Sequence, residues 1–190
     1  MIPKKIHYCW FGKKEKTQLT KRCIASWKKH CPDYEIIEWN EENFNIDLNP
    51  YTRMCYQQKK YAFLSDYVRL LVVEKHGGIY FDTDVEVLKA LDPLLNTDAF
   101  FGFEDRLHIN TGIGFGAESG NCMVKQMIRE YDELLDGKKG TRGCPILNTR
   151  ALQKYGLLLN GNYQVLKGAE IYPRDYFNPY DDPTGVINKT

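Results

Sequence analysis

An apolar helix that runs through a pair of glycines straight into a strand tipped with acids constrains this chain more than any other feature. Over residues 59–76, Tyr61, Leu64, Val68, Leu71 and Val72 recur at helical spacing. Gly77 stands where a left-handed C-terminal cap belongs. Residues 77–87 (GGIYFDTDVEV) then read as a strand, whose side chains alternate between faces at about 3.3 Å per residue. Ile79, Phe81, Thr83, Val85 and Val87 form an apolar face, and Tyr80, Asp82, Asp84 and Glu86 the other. On that geometry Asp82 and Asp84 sit roughly 7 Å apart and repel one another. Two readings follow: an edge strand with a solvated acidic face, or a seat for a cation. The glycine pair favours the second, because backbone without a Cβ lets a bound group come close.

Strands and helices alternate around this unit. Residues 4–11 (KKIHYCWF) read as a strand halted at Gly12. Residues 17–30 suit an amphipathic helix with Leu19, Cys23, Ile24 and Trp27 in one stripe, stopped by Pro32. Residues 34–39 (YEIIEW) make a second strand, and 40–56 a loop with a short helix. Further on, 99–104 (AFFGFE) read as a strand and 112–117 as an extended piece whose Gly112, Gly114 and Gly116 suit close approach to a ligand. Residues 121–135 read as a helix ended near Gly137, and the remainder as mostly irregular. Such alternation predicts an α/β sheet flanked by helices, and 190 residues suit one domain, 1–190.

Composition narrows the setting. The start MIPKKIHYCWFG is too short and polar for a signal peptide, and no apolar run approaches the roughly 20 residues of a membrane span. Six cysteines without a C-x-x-C pair read as buried small hydrophobes in a reducing, cytoplasmic compartment. A formal net charge of +1 demands no polyanionic partner. Residues 4–29 nevertheless carry Lys4, Lys5, Lys13, Lys14, Lys16, Lys21, Arg22, Lys28 and Lys29 against Glu15 alone. That basic end suits phosphate, an anionic membrane surface or nucleic acid, or is a solvated helix face; the interleaved aromatics of a nucleic-acid binder are missing.

Two carboxylates spaced along an ideal strand do not readily chelate one ion together. One Asp then holds the metal directly, and the other works through water or grips a neighbouring hydroxyl. Hard oxygen ligands suit Mg²⁺ or Mn²⁺, which keep positions open for phosphate oxygens and neutralise a departing diphosphate. Ser65-Asp66-Tyr67-Val68-Arg69 adds an acid and a base one turn apart. They form either a helix-surface ion pair of a few tenths of a kcal/mol or part of the same pocket.

The ordered set IPKKIHYCWFG, SWKKHCPDYEIIEW and AFLSDYVRLLVVEKHGGIYFDTDVEV resembles the DXD-containing sugar-transferase family. That family includes bacterial capsular-polysaccharide glycosyltransferases and yeast outer-chain mannosyltransferases, with clostridial glucosylating toxins as distant relatives. The resemblance covers residues 2–104 with specific motifs and continues more loosely through NTGIGFGA and IYPRDYF. It implies a GT-A fold and metal-dependent, retaining transfer from a UDP- or GDP-sugar to a glycan or lipid-linked glycan hydroxyl, as in surface polysaccharide synthesis. The expected setting is the cytoplasm, with the basic start leaving docking at the inner membrane surface open. By position, Asp84 would be the direct metal ligand, with Asp82 near the ribose, donor sugar or a metal-bound water. Asp66 and Arg69 would hold the sugar hydroxyls and ribose, Trp10 would stack on the base, and Gly78 and Asn110 would line the donor pocket. Glu104 and Asp105 are the candidates for a carboxylate acting at the sugar, or form a charged surface turn.

One departure stands out. Relatives continue past IYPRDYF into a segment rich in Thr, Asn and His that supplies a further ligand to metal or phosphate, whereas this chain stops at GVINKT. A truncated chain, or a non-catalytic nucleotide-sugar-binding subunit, fits that departure. A haloacid-dehalogenase-like phosphatase also opens its site with D-x-D, and Asp181-Asp182 mimics its late acid pair. The Thr or Ser it requires after the second Asp is absent here.

Overall fold

A computed structural model describes residues 1–181, 186 and 187. Seven strands form one mixed sheet in the order β2-β1-β3-β5-β4-β7-β6. They are β1 (Lys5–Cys9), β2 (Glu35–Trp39), β3 (Gly78–Tyr80), β4 (Ala99–Gly102), β5 (Phe115–Ala117), β6 (Gln164–Leu166) and β7 (Ala169–Tyr172). β1 pairs parallel to both β2 and β3, and β4 parallel to β7, whereas β5 runs against β3 and β4. The C-terminal ends of β1, β2, β3, β4 and β7 therefore share one edge of the sheet. β8 (Tyr180–Asp181) and β9 (Val186–Ile187) pair separately.

Helices cover both faces. α1 (Gln18–His30), capped by the Thr17 side chain on the Thr20 N–H, lies on one. α3 (Tyr61–His76), α4 (Cys122–Arg129) and α5 (Cys144–Gln153) lie on the other, with α2 (Pro50–Gln57) beside α3. The alternation of strand side chains divides the core accordingly. Ile6, Tyr8, Ile79, Phe81 and Phe100 pack toward Trp27 of α1. Cys9, Tyr80, Phe101 and Phe115 pack toward Leu64, Val68 and Val72 of α3. Both faces of β3 are buried, so it is an interior strand rather than an edge.

The structure corrects several expectations. The buried stripe of α1 is Thr20, Cys23, Ser26 and Trp27, while Leu19 is exposed. Gly77 has positive φ but an extended ψ (62°, 178°), a conformation open almost only to glycine, rather than a left-handed helical cap. The close approach of Gly77 and Gly78 is to the chain itself: a Cβ at Gly77 would strike the Pro3 ring, and one at Gly78 would strike His7 and Lys5 of β1. Gly78 thus serves strand packing. The C-terminal third is ordered where irregular chain was expected, with α5, β6, β7 and α6 (Arg174–Phe177). Asp182, half of the late acid pair, lies outside the described residues.

Candidate active site

The acidic strand is shorter than its sequence pattern. β3 ends at Tyr80, the Asp82 N–H donates to Gly112 O at 3.0 Å, and the Val85 N–H closes a turn on Asp82 O at 3.1 Å. Asp and Thr are poor strand residues and good turn residues, which is why the chain bends there. Tyr80 and Asp82 do share a face, and the Tyr80 hydroxyl donates to Asp82 Oδ1 at 2.9 Å. Asp84, by contrast, is thrown outward by the turn, so the spacing of an ideal strand does not apply to the pair. Glu86 faces α1, with Arg22 at 3.9 Å.

Arg69 organises the interior side of this turn. Its side chain is only 2% exposed, and its Nη2 lies 2.9 Å from Asp66 Oδ1 and 2.9 Å from Asp82 Oδ1. The guanidinium lies 4.8 Å from the Tyr80 ring centroid, and Nη1 reaches the Cys144 thiol at 3.8 Å. Asp66, one helical turn from Arg69, therefore joins the acidic strand through it, as the sequence suggested. Burial pushes the Asp66 carboxyl above its ordinary range, against Arg69 and the thiol and N–H of Cys144. Burial does the same to Asp82, with Asp66 and Asp84 adding repulsion and Arg69 and Tyr80 opposing it. Burial disfavours the Arg69 cation, but Asp82, Tyr80 and Asp66 more than offset this and hold it firmly charged. With its forks engaged by protein, Arg69 positions Asp82 and Asp66.

A second loop closes the site from β4. Asn110 donates to Glu104 Oε1 at 3.0 Å and accepts from the Gly112 N–H at 2.6 Å. The Cys144 thiol also points at Asn110 Oδ1, at 3.5 Å. From α5, Thr149 Oγ1 accepts the Ile109 N–H and Asn148 donates to Thr111, which seats this loop. Gly112 is where the pieces meet: a Cβ there would lie 2.3 Å from Asp82 Oδ2, 2.9 Å from Arg69 Nη1 and 3.0 Å from Asn110 Oδ1. Its lack of a side chain makes room for the acid and the guanidinium. Tyr80 and Cys144 were not anticipated as site residues. Tyr80 was legible as the residue two before Asp82 on its face; Cys144 arrives from a helix that no motif announced.

Trp10 follows β1 on the same edge, half-buried, with its Nε1 donating to Lys14 O at 2.7 Å and Lys16 Nζ 5.7 Å from its ring centroid. Asp105 is turned away: it accepts the N–H groups of Leu107 and His108 and pairs with the His108 ring at 2.9 Å, so it stabilises its own loop. The edge thus gathers Asp66, Asp82 and Asp84 around the cation Arg69, with Glu104 linked through Asn110. This is a site with surplus negative charge.

Among the described residues no three His, Cys, Asp or Glu side chains converge as a ready metal cage. The donor set still fits Mg²⁺ or Mn²⁺, ions that take one or two carboxylates and keep water and phosphate in their other positions. Asp84 is exposed and makes no hydrogen bond or ion pair with the described residues, and the Asp82 side chain keeps 37% exposure.

Residues 17–101 match the family described as the glycosyltransferase sugar-binding region containing the DXD motif. The chain is 29% identical to inositol phosphoceramide mannosyltransferase 3 of Schizosaccharomyces pombe, over 67% of this chain and 36% of that protein. It is 31% identical to mannosyl phosphorylinositol ceramide synthase SUR1 of Saccharomyces cerevisiae, over 70% of this chain and 36% of that protein. The chain thus spans about a third of the length of these relatives. Its backbone superposes on the PaToxG glycosyltransferase with a TM-score of 0.62 at 18% identity, covering 80% of this chain and 68% of that one. The sheet and flanking helices are those of a GT-A fold, and the resemblance carried by the motifs is to the family the chain matches.

Proposed function

We propose, with a DXD-type sugar-transferase region as the premise, that this chain moves a sugar from a nucleoside-diphosphate donor to a hydroxyl of a glycan or lipid-linked glycan. The observation that carries this reading is the pairing of an inner acid locked by Arg69 with an outer acid free of protein partners. Asp84, with Asp82 behind it, would hold a divalent ion, which when bound neutralises charge on the leaving diphosphate. Arg69 fixes Asp82 and Asp66 in place. Asp66 lines the floor of the site, Asn110 and Glu104 close one side, and Trp10 offers an indole face beside β1 for the base. Transfer with retention of anomeric configuration leaves Glu104 as the carboxylate nearest this network. A cytoplasmic protein working at a membrane surface in surface-polysaccharide synthesis is the setting this reading suggests.

A phosphatase mechanism needs Asp82 as an open nucleophile, yet Arg69 and Tyr80 occupy both its oxygens. A binding-only role is the second reading. One experiment separates the readings. The purified chain is incubated with a panel of UDP- and GDP-sugars, GDP-mannose included because both yeast relatives are named for mannosyl products, with Mn²⁺, Mg²⁺ or chelator. Metal-dependent nucleotide release that falls by about 10²-fold or more in Asp84→Asn supports a transferase. Metal-dependent thermal stabilisation by nucleotide without turnover supports the binder. Release that ignores both the chelator and the substitution overturns the site.

A further inference from the structure

Of the lysine-rich start of the chain, only Lys14 and Lys16 touch the site above, at Trp10. On α1, Lys21, Ile24, Ala25 and Lys28 follow i, i+3, i+4, i+7 spacing and form one stripe. This stripe is distinct from the buried one of Thr20, Cys23, Ser26 and Trp27. With Tyr8 of β1 and Lys16 of the connecting loop, it lines a cleft of about 320 Å³, within the range of small-ligand sites. The lining joins apolar surface (Ile24, Ala25 and the Tyr8 ring) to three lysines.

Two of the three cations are loosely held. Lys28 makes no hydrogen bond or ion pair with the described residues. Lys21 meets Glu15 at 2.8 Å, but that glutamate is 86% exposed, and such pairs contribute at most about 1 kcal/mol. Lys16 is the anchored member, 2.6 Å from Glu38 and near the Tyr8 and Trp10 rings. Lys21 and Lys28 stand roughly 10 Å apart along the helix, bracketing Ile24 and Ala25. The Asp84 turn lies elsewhere on α1, at Trp27, Ser26 and Arg22. The cleft therefore draws on other residues of α1 than those that hold the Asp84 turn, and meets Trp10 only through Lys16.

We propose that this cleft binds a phosphate ester, its anionic oxygens between Lys21, Lys28 and Lys16 and its carbon portion on Ile24, Ala25 and Tyr8. A nucleic-acid chain is disfavoured, because the cleft is lined by one aromatic ring, Tyr8, rather than by the succession of stacking platforms such a chain uses.

The test uses the full chain in chelator, which removes any metal-held phosphate at Asp84. One arm titrates soluble glycerol phosphate by calorimetry. The other measures co-flotation with phosphatidylcholine vesicles, with and without phosphatidic acid. Lys21→Gln/Lys28→Gln is compared with Lys138→Gln/Lys139→Gln, which removes two lysines elsewhere, all folds being checked by circular dichroism. Binding in either arm that weakens about tenfold or more in the first variant and not in the second supports the site, and the arm that responds identifies a soluble or a lipid-borne ligand. The first variant keeps wild-type donor hydrolysis. Binding in neither arm, equal loss in both variants, or tighter capture of a single-stranded oligonucleotide than of either probe overturns the proposal.

Discussion

Two buried ion clusters in this molecule are near mirror images in charge. At the sheet edge the cation Arg69, 2% exposed, sits between Asp66 and Asp82. Across the helical layer the anion Glu130, 4% exposed, sits between Arg150 and Lys154 of the α5 region and accepts from Gln126 at 2.8 Å. The difference lies in where the surplus charge goes. Arg150 and Lys154 are 42% and 53% exposed, so water screens the excess cation and the cluster ties α4 to α5. Asp66 is 14% exposed and Asp82 37%, and the exposed Asp84 adds a further negative charge beside them. The surplus cation is spread over two exposed side chains of one helix end; the surplus anion is gathered on one turn, where like charges repel and a ligand of opposite sign would relieve them.

The sharpest break in this comparison comes from removing the two central charges. Arg69→Met leaves two carboxylates without their cation and is expected to cost about 3–5 kcal/mol in denaturant unfolding. Glu130→Gln leaves cations that can turn to water, and should cost about 1–2 kcal/mol by the same measurement, the scale of lost charged hydrogen bonds. Equal losses would mean that the exposed cations of the second cluster depend on their partner no less than the buried acids depend on Arg69.

Acid sharpens the contrast through opposite slopes. Burial opposes it, but Lys154, Gln126 and Arg150 hold the Glu130 carboxyl below its ordinary range. Its stabilisation is therefore present above the unfolded glutamate value and lost as pH falls through the folded one. Asp66 is raised, so its contribution is greatest below the unfolded aspartate value and lost as pH rises through the folded one. Thermal melts on acidification should show wild type losing its lead over Glu130→Gln while gaining on Asp66→Asn. The smallest effect belongs to Asp84→Asn: less than about 0.5 kcal/mol in unfolding, with loss of the thermal stabilisation that Mn²⁺ and nucleoside diphosphate give together. A larger folding penalty would move Asp84 into the structural class.

The sequence made the helix–glycine–strand unit and its ion pair legible, because Leu64, Val68 and Val72 keep strict helical spacing and Asp66 and Arg69 keep theirs. It misled at the turn, where alternation persists in the letters after the backbone has bent at Asp82. α5 was missed although Cys144, Leu147, Asn148, Ala151 and Leu152 are buried at helical spacing. Pro145 and the glycines before it read as loop, whereas proline here occupies the first turn, where no N–H is needed. β7 carries a two-residue alternation, Ala169 and Ile171 inward, too short to stand out among Tyr, Pro and Asn.

Two bonds from α1 reach the chain beyond the outer acid: the Trp27 indole N–H to Val85 O at 2.8 Å, and the Val87 N–H to the Ser26 hydroxyl at 2.9 Å. The main chain around Asp84 is thereby ordered at the moment of folding. Capture of an ion there need freeze only one short side-chain rotor, a fraction of the disorder that fixing a floppy loop would surrender. Clipping the Ser26 hydroxyl would hand that disorder back, and affinity would fall with no change in any charge.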